Sequence, residues 1–419
     1  MTDWEWGTFV SLFLLGGVIG GLTGGHLSSA YGRRRALLCT NFLFALGTLS
    51  ITLAHSPMPL FAARLLTGIA AGMSTVVVPV YINELAPRRW AGMLGSANQM
   101  AIVVGILVSA IAGLGMATVE LWRGMFALAL VPNALQWVLL PMCVESPSWL
   151  AAQGLAQDNK EAIDKLYGSP ISLPIDDEET RVLPDDIEES ASSHGAFDAS
   201  PDATSSPASS HTHQLSYAQL FASHEMRRPL IAALGLHVIQ QFSGINAAIF
   251  YSTTIFTQTY SPQTAIHLTV LVSVVNLFMT IISTLLIDSL GRRTLVLTSE
   301  AMMAACAAAV FVTNTSLNDP PPALVAGLLV AFVGAFAVGL GAIPWIILPE
   351  LIPPTGLTAA ASLGTATNWG SAFVLALLFP VAIGAMGYTV FLLFALFLAM
   401  SFVFTWVYVP ETKAGAVRI

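Results

Sequence analysis

The chain has 419 residues, of which 55% are hydrophobic and only 10% are charged. An ordinary soluble domain carries roughly 25% charged residues, so the composition excludes a soluble globular protein. A largely disordered chain is also excluded, because disorder requires low hydrophobicity and high charge. The net charge of −8 is concentrated in the one long polar stretch of the sequence. We therefore predict an all-α integral membrane protein.

Eleven membrane-spanning helices are predicted from the apolar runs. A hydrocarbon core about 30 Å thick needs roughly 20 apolar residues per helix. The runs are continuously apolar rather than alternating, which favours helices over a β-barrel. The predicted spans are residues 8–30, 36–54, 60–82, 92–114, 122–142, 229–251, 264–287, 294–313, 323–348, 357–383 and 386–409.

A polar interval, residues 145–226, separates the fifth span from the sixth. Its middle, Ser169 to His213, is rich in Ser, Pro and acidic residues and is predicted to be disordered. Its flanks, residues 153–167 and 214–225, are predicted to form short amphipathic helices. The basic residues of the chain cluster on the same side of the predicted membrane as this interval, which places that side in the cytoplasm.

Three motifs occur twice in the sequence. Gly32-Arg33-Arg34 follows the first span and Gly291-Arg292-Arg293 follows the seventh. Glu84-Leu85 and Glu145-Ser146-Pro147 likewise have counterparts at Glu350-Leu351 and at Glu411. Spans one to five therefore repeat as spans seven to eleven, and span six has no counterpart. We expect a complete architecture of twelve helices in two parallel halves, of which this chain lacks the first. The predicted regions are an N-terminal half (1–144), a cytoplasmic loop (145–226) and a C-terminal half (227–419).

The repeated motifs carry opposite charges at matching helix ends. They could act as topology signals alone, but their paired recurrence favours a cytoplasmic latch of Arg–carboxylate pairs. The candidate latch residues are Arg33, Arg34, Glu84, Glu145, Asp288, Arg292, Arg293, Glu350 and Glu411.

Glycines recur every four residues in the first span. Gly16, Gly20 and Gly24 form one row and Gly17, Gly21 and Gly25 form a second. This spacing lets a neighbouring helix backbone approach closely. The rows predict tight packing, or sliding faces in a protein whose halves rock against each other.

Polar side chains concentrate in span six, where each unsatisfied group costs several kcal/mol. His237, Gln240, Gln241 and Asn246 lie there, with Gly244 loosening the helix. Amides both donate and accept hydrogen bonds, so they suit neutral hydroxyls. The alternative is hydrogen bonding between helices alone, most of all for His237. Further candidates in other spans are Gln99, Asn276, Trp345, Asn368 and Trp369. Amides and indoles without an intramembrane charge favour a polyol over an ion.

These stretches resemble the sugar porter family of the major facilitator superfamily. The motifs that carry the resemblance are YGRRR, PVYINELAPRR, NQMAIVVGILVSAIAGL, QQFSGINAAIFYST, DSLGRRTLVL, PWIILPEL, NWGSAF and VPETK. The resemblance implies a helical bundle of two pseudo-symmetric halves. It places Gln99, Gln240, Gln241, Asn246, Asn276 and Trp345 on the family's hexose-contacting positions, and Asn368 and Trp369 in a second contact region.

The resemblance also implies roles for two positions of span six. Tyr251 falls at the extracellular-gate end of its helix. His237-Val238-Ile239 stands where glucose-selective relatives have Gln-Leu-Ser, and resembles the variant of a relative that accepts glucose and fructose.

The chain departs from the family pattern at several positions. Arg64 is expected to point into the bundle without the acidic partner that the missing first helix carries in proton-coupled members. Ala91 and Leu357 replace an Arg in each half, so Glu84 and Glu350 are expected to lose partners within their halves. Ser29 replaces an Asp of the pattern, Ala337 replaces a residue that is commonly acidic or polar, and Ser148 replaces an Arg. Glu300 is an unexpected acid inside a span.

The leading functional hypothesis is transport of a monosaccharide, a hexose, by alternating access, through facilitated diffusion or proton symport. The alternatives are a non-transporting sugar sensor and a truncated, inactive product, because a chain without the first helix is expected to be poorly stable. An enzyme is disfavoured, since the spans hold no nucleophile, metal cluster or acid–base pair. We expect no cofactor and no nucleic-acid partner, only a sugar, the bilayer and, for a symporter, protons. The membrane is expected to be the plasma or vacuolar membrane, and the oligomeric state stays open.

Overall fold

A computed structural model describes residues 3–87, 91–167, 215–249, 257, 260–317 and 321–412. In this part of the chain the helices are α1 (Asp3–Tyr31), α2 (Arg33–Leu53), α3 (Pro57–Leu85), α4 (Ala91–Met116), α5 (Trp122–Ala127), α6 (Leu130–Leu139), α7 (Pro147–Ala152), α8 (Ala156–Tyr167), α9 (Tyr217–Ala222), α10 (His224–Phe242), α11 (Pro262–Leu290), α12 (Arg292–Ser316), α13 (Pro322–Val338), α14 (Ile343–Leu351), α15 (Pro354–Met386) and α16 (Thr389–Tyr408). A short 3₁₀ helix, Leu140–Met142, follows α6.

Eleven described segments are long and apolar enough to cross a membrane. They confirm the eleven predicted spans, with ends shifted by a few residues. Spans one to four are α1 to α4, the fifth joins α5 and α6, and the sixth is α10 continued to Ile249. Spans seven and eight are α11 and α12, the ninth joins α13 and α14, and the last two are α15 and α16. The chain is thus an integral multi-pass membrane protein.

The ninth span is broken, where the sequence predicts one continuous helix. α13 ends at Val338 and α14 begins at Ile343. The break is stabilised by hydroxyls from other spans, because backbone groups freed inside a membrane need partners. Ser283 donates to the Val338 carbonyl at 2.7 Å, and Ser299 accepts from the Leu340 amide at 3.3 Å.

The flanks of the polar interval form the short helices that the sequence predicts there, with different ends. α8 begins at Ala156, and α9 covers Tyr217–Ala222 only. The start of α9 is fixed by a capping box between Ser216 and Gln219, which satisfies backbone donors at the helix end. Residues 168–214, which hold the predicted disordered stretch, lie outside the described residues.

α1 packs against α3 on one side and against α15 on the other. We call α1–α6 the N-terminal half and α10–α16 the C-terminal half, and the exact domain boundaries stay a prediction. The row containing Gly20 faces α3: a Cβ added there would fall well inside van der Waals contact with the Ile69 carbonyl. The row containing Gly21 faces α15: a Cβ there would lie 2.9 Å from Thr365 Cγ2. One helix face therefore holds the N-terminal half together, and the other forms the contact between halves.

α9 bridges the two halves on the side predicted to be cytoplasmic. The Tyr217 hydroxyl donates to the Leu22 carbonyl of α1 at 3.1 Å. The backbone amide of Leu215 donates to the Thr355 carbonyl of α15 at 3.0 Å, and the buried Leu220 packs against Gly356. The two halves are closed against each other on this side.

Cysteine labelling tests the predicted orientation of the spans. In a chain without its native cysteines, Met58→Cys is expected to react with an impermeant maleimide from outside, because Met58 is 75% exposed in the first turn of α3, at the predicted outer end of the third span. Ser200→Cys is expected to react only after permeabilisation, since the sequence places residue 200 in the cytoplasm. Labelling of position 200 in intact cells would contradict the predicted topology.

Candidate functional site

A cluster of uncharged amides lies between α10 and α15. Gln241 donates to the Asn368 side-chain carbonyl at 2.8 Å, and Asn368 donates to the Gln240 side-chain carbonyl at 2.6 Å. Asn246 donates to the side-chain carbonyl of Gln241. We call Gln240, Gln241, Asn246 and Asn368 the amide cluster. The structure thus brings Asn368 together with three residues of the sixth span that precede it by more than 120 positions in the sequence.

Gln240 connects the amide cluster to the break in the ninth span. Its amide nitrogen donates to the Leu340 carbonyl at 2.6 Å and to the Gly341 carbonyl at 3.0 Å. Gly244 allows the sixth span to turn between Gln241 and Asn246, since its φ of +92° is a conformation that other residues rarely adopt. The break in the ninth span and the turn at Gly244 in the sixth span therefore both lie at the amide cluster.

His237 and Trp345 lie against the amide cluster. Their rings meet edge to face with centroids 4.5 Å apart, and His237 Nδ1 lies 3.4 Å from Asn368 Nδ2. His237 is fully buried, and its Nε2 has no hydrogen-bond partner among the described residues. His237 reaches the cluster through Asn368, so its geometry fits a positioning role as well as direct binding.

Trp369 faces the opposite half of the molecule. Its indole fills the space beside Gly17, and its ring meets Phe13 at a centroid distance of 5.4 Å. Because Trp369 follows Asn368 directly, the amide cluster is one residue away from the contact between halves. Phe13 carries no signal in the sequence, because it looks like any other apolar residue of its span.

Two predicted site residues, Gln99 and Asn276, form no hydrogen bond with the amide cluster in the part of the chain that the structure describes. Asn276 is buried with its side-chain oxygen unpartnered, and Gln99 on α4 is half-buried. Tyr251 lies outside the described residues. Their roles in binding or gating stay predictions.

Arg64 contacts aromatic rings rather than a carboxylate. Its guanidinium carbon lies 4.5 Å from the centroid of Phe9 and 4.4 Å from that of Phe13, and its Nε donates to the Phe9 carbonyl at 3.3 Å. Cation–π contacts of this kind compensate part of the cost of a charge in the membrane. Arg64, Phe13 and Trp369 form a continuous line of contacts from α3 to α15.

The charged residues of the repeated motifs, at the predicted cytoplasmic ends of the spans, form ion pairs within each half. Arg33 makes two bonds to Glu84, at 2.8 and 2.7 Å, and is almost fully buried. Arg292 bonds Glu350 at 2.9 Å and Asp288 at 3.1 Å. The expectation that the two glutamates lose partners within their halves is therefore wrong: the arginine of the neighbouring Gly-Arg-Arg turn reaches each of them.

Glu145 and Glu411 bind the starts of α2 and α12. Glu145 accepts from the backbone amides of Arg33 and Arg34, at 2.8 and 3.2 Å. Glu411 accepts from the corresponding amides of Arg292 and Arg293, at 2.8 and 3.2 Å. A carboxylate at this position satisfies unpaired N–H groups and interacts favourably with the helix dipole. All nine candidate latch residues thus lie in two matching groups, although their role in gating stays a prediction.

Glu300, the acid inside the eighth span, bonds a residue that does not belong to the amide cluster. Glu300 is fully buried and accepts a hydrogen bond from Thr405 at 2.9 Å, which joins α12 to α16. Its second carboxyl oxygen has no partner among the described residues.

The amide cluster offers hydrogen bonds without charge. Each amide both donates and accepts, and the Trp345 ring supplies a flat apolar face, which together suit a polyhydroxylated ring. Towards the predicted cytoplasmic side, the space between α3, α14 and α15 narrows to a cavity of about 20 Å³, bounded by Pro79, Trp345 and Thr365. That is room for about one water molecule.

Comparisons with known proteins agree with this geometry. The family model described as "Sugar (and other) transporter" matches residues 2–417. Facilitated glucose transporter member 3 of Rattus norvegicus is 35% identical over 418 residues, covering 97% of this chain and 80% of the relative. Facilitated glucose transporter member 4 of Homo sapiens is 35% identical over 420 residues, covering 97% and 77%.

Solved structures show the same fold. The major facilitator superfamily proton:xylose symporter XylE, bound to 6-bromo-6-deoxy-D-glucose, superposes with a TM-score of 0.79 at 23% identity, over 98% of this chain and 87% of that one. A partially occluded inward-open form of the xylose transporter XylE from E. coli gives 0.76 at 25% identity, over 98% and 88%. On its sequence match, its eleven spans and its fold, this chain belongs to the sugar porter family of the major facilitator superfamily.

Proposed function

We propose that this chain carries a monosaccharide of the hexose class across the membrane by alternating access. The named relatives are facilitated glucose transporters and a proton:xylose symporter, so their names indicate a monosaccharide, and those of the sequence relatives a hexose. The observation that carries the proposal is the amide cluster beside Trp345, at the break in the ninth span. Uncharged donors and acceptors at this depth serve hydroxyl groups better than ions or carboxylates.

The proposed cycle moves the two halves about the amide cluster. In the conformation described here, α1 is packed against α15 and α9 bridges the halves on the predicted cytoplasmic side. Opening to the cytoplasm then requires the Gly21 face of α1 to separate from α15 and Trp369 to leave its place beside Gly17 and Phe13. Sugar binding couples to this movement because Asn368 and Trp369 are neighbours on α15.

Uptake of labelled sugars by vesicles containing the purified chain tests the proposal. We expect saturable uptake of a labelled hexose. Unlabelled glucose or fructose should inhibit this uptake by competing for the same site. Stimulation by an inward proton gradient is expected for a symporter and no stimulation for facilitated diffusion. The relatives give no support to a sugar sensor, an inactive product or an enzyme. Sugar binding without any uptake, or uptake of no monosaccharide, would contradict the proposal.

Gln241→Ala is expected to weaken sugar binding about 5- to 150-fold. The change removes the donor to Asn368 and the acceptor for Asn246, and leaves a hydroxyl of the bound sugar without a partner. A lost hydrogen bond to a buried group costs about 1–3 kcal/mol. Competition for binding against labelled glucose measures the effect. The matched control is Gln136→Ala, which removes an exposed amide from α6. Equal, small effects of both changes would leave the cluster with a purely structural role.

A further inference from the structure

Two hydroxyl groups of α15 are buried without a partner. Ser362 and Thr365 are fully buried, and neither hydroxyl oxygen has a hydrogen-bond partner among the described residues. Buried hydroxyls elsewhere in the spans donate to a carbonyl of their own helix. Thr40 bonds the carbonyl three residues earlier and Thr280 the carbonyl four residues earlier, each at 2.8 Å. A buried hydroxyl without a partner costs free energy, so these two exceptions on one helix require an explanation.

The two hydroxyls continue the amide cluster towards the predicted cytoplasmic side, where α15 begins. Asn368, Thr365 and Ser362 are three residues apart and therefore share one face of the helix. At 1.5 Å per residue, Thr365 lies about 4.5 Å and Ser362 about 9 Å from Asn368 along the helix axis. His237 joins this row from α10, because its unpartnered Nε2 lies against Gly364, 2.9 Å from the position that an added Cβ would take.

α1 covers this row in the conformation described here. A Cβ added at Gly21 would lie 2.9 Å from Thr365 Cγ2, and a Cβ added at Gly25 would overlap the Ser362 hydroxyl. Glycines offer no side-chain donor or acceptor, and the backbone groups inside α1 are bonded within the helix, so this contact leaves the hydroxyls unsatisfied. Separation of α1 from α15, the movement of the proposed cycle, would uncover both hydroxyls and widen the cavity that Trp345 and Thr365 bound.

We propose that Thr365, Ser362 and the Nε2 of His237 form a second monosaccharide subsite on the cytoplasmic side of the amide cluster, which the sugar occupies after α1 has moved away. This inference rests on the proposed transport function. Hydroxyls donate and accept without charge, and an uncharged imidazole nitrogen does one or the other, which suits sugar hydroxyls. The Trp345 ring, 4.5 Å from the His237 ring between centroids, supplies a flat apolar face beside them.

The subsite gives the two faces of the membrane different affinities for the sugar. Its hydroxyls are covered when the halves are closed towards the cytoplasm, so they can bind sugar only in the conformation open to that side. A contact made in one conformation alone contributes to binding from that side alone. Sugar binding from the cytoplasm therefore includes hydrogen bonds that binding from outside lacks.

Thr365→Val tests the proposal, because it removes the hydroxyl and keeps the branched shape of the side chain. The half-saturating concentration of labelled glucose is measured in right-side-out and in inside-out membrane vesicles that contain the chain. At the cytoplasmic face it is expected to rise about two- to tenfold, the effect of one lost hydrogen bond. At the outer face it is expected to stay the same. Ser362→Ala should change the two faces in the same way.

The matched control is Thr40→Val, the same change at a buried hydroxyl of α2 that is bonded within its own helix. It is expected to leave the half-saturating concentration unchanged at both faces. The unfolding temperature of Thr365→Val should equal or exceed that of the unsubstituted chain, since the change removes a buried hydroxyl without a partner. A loss of sugar affinity in this variant is then not a consequence of unfolding.

Three results would overturn the proposal. The first is an unchanged half-saturating concentration at the cytoplasmic face in both Thr365→Val and Ser362→Ala. The second is an equal rise at both faces, which would place the hydroxyls in the central site. The third is a rise at the cytoplasmic face with a fall at the outer face, which would mean a shift towards the conformation closed to the cytoplasm. Absence of saturable glucose entry in the unsubstituted chain would instead contradict the proposed transport function.

Discussion

Gly20→Ala is expected to prevent stable folding of the N-terminal half and to abolish uptake. A Cβ at this position would overlap the Ile69 carbonyl of α3, and the Met73 amide would lie 2.9 Å away. Both are backbone atoms, so no side chain can rotate aside and the two helices must separate. Forced overpacking of this kind costs about 1–3 kcal/mol or more per site. The measurement is the amount of monodisperse protein recovered after solubilisation, together with its unfolding temperature.

Two glycines serve as controls for this prediction. Gly105→Ala on α4 should have no effect, because no atom lies within 4 Å of the added Cβ. Gly21→Ala should leave the protein folded but disfavour the conformation closed to the cytoplasm, since the added Cβ meets Thr365 of the opposite half at 2.9 Å. Accessibility of a cysteine at position 361 to a cytoplasmic reagent reports that shift. Normal folding of Gly20→Ala would show that the backbones of α1 and α3 do not have to approach each other as closely as they do at Gly20.

Glu84→Ala is the second change with a large expected effect. It leaves the Arg33 guanidinium, which is 2% exposed, with a single hydrogen bond to the Ser28 carbonyl. Removing one partner of a buried ion pair costs about 3–5 kcal/mol, because the remaining charge stays desolvated. We expect a lower unfolding temperature and weaker closure at the predicted cytoplasmic side. Unfolding of the solubilised protein followed by tryptophan fluorescence measures the first effect.

The matched control is Glu161→Ala, which removes an exposed ion pair with Lys165 on α8. Exposed pairs contribute little, so no change in unfolding temperature is expected. Glu350→Ala repeats the test in the C-terminal half, where Asp288 still pairs with Arg292, so a smaller effect is expected there. If Glu84→Ala and Glu161→Ala change the unfolding temperature equally, the Arg33–Glu84 pair does not stabilise the protein.

The sequence by itself determined the spans, their number and the repeat. Span length is a local property, because about 20 consecutive apolar residues are required wherever the helix packs. The matching Gly-Arg-Arg turns likewise identify related positions before any contact is known. The amide residues of span six could be recognised because polar groups are costly in a membrane wherever they lie.

Only the tertiary structure decided which partners these residues have. The ninth span breaks because Gln240, Ser283 and Ser299 satisfy its freed backbone groups, and all three come from other helices. Arg64 contacts the aromatic rings of Phe9 and Phe13 because α1 and α3 are drawn together by glycines on both. Such partners are far apart in sequence and leave no periodic signal, since side-chain contacts depend on how helices cross. Local patterns therefore predicted the helices, and packing between helices decided the site.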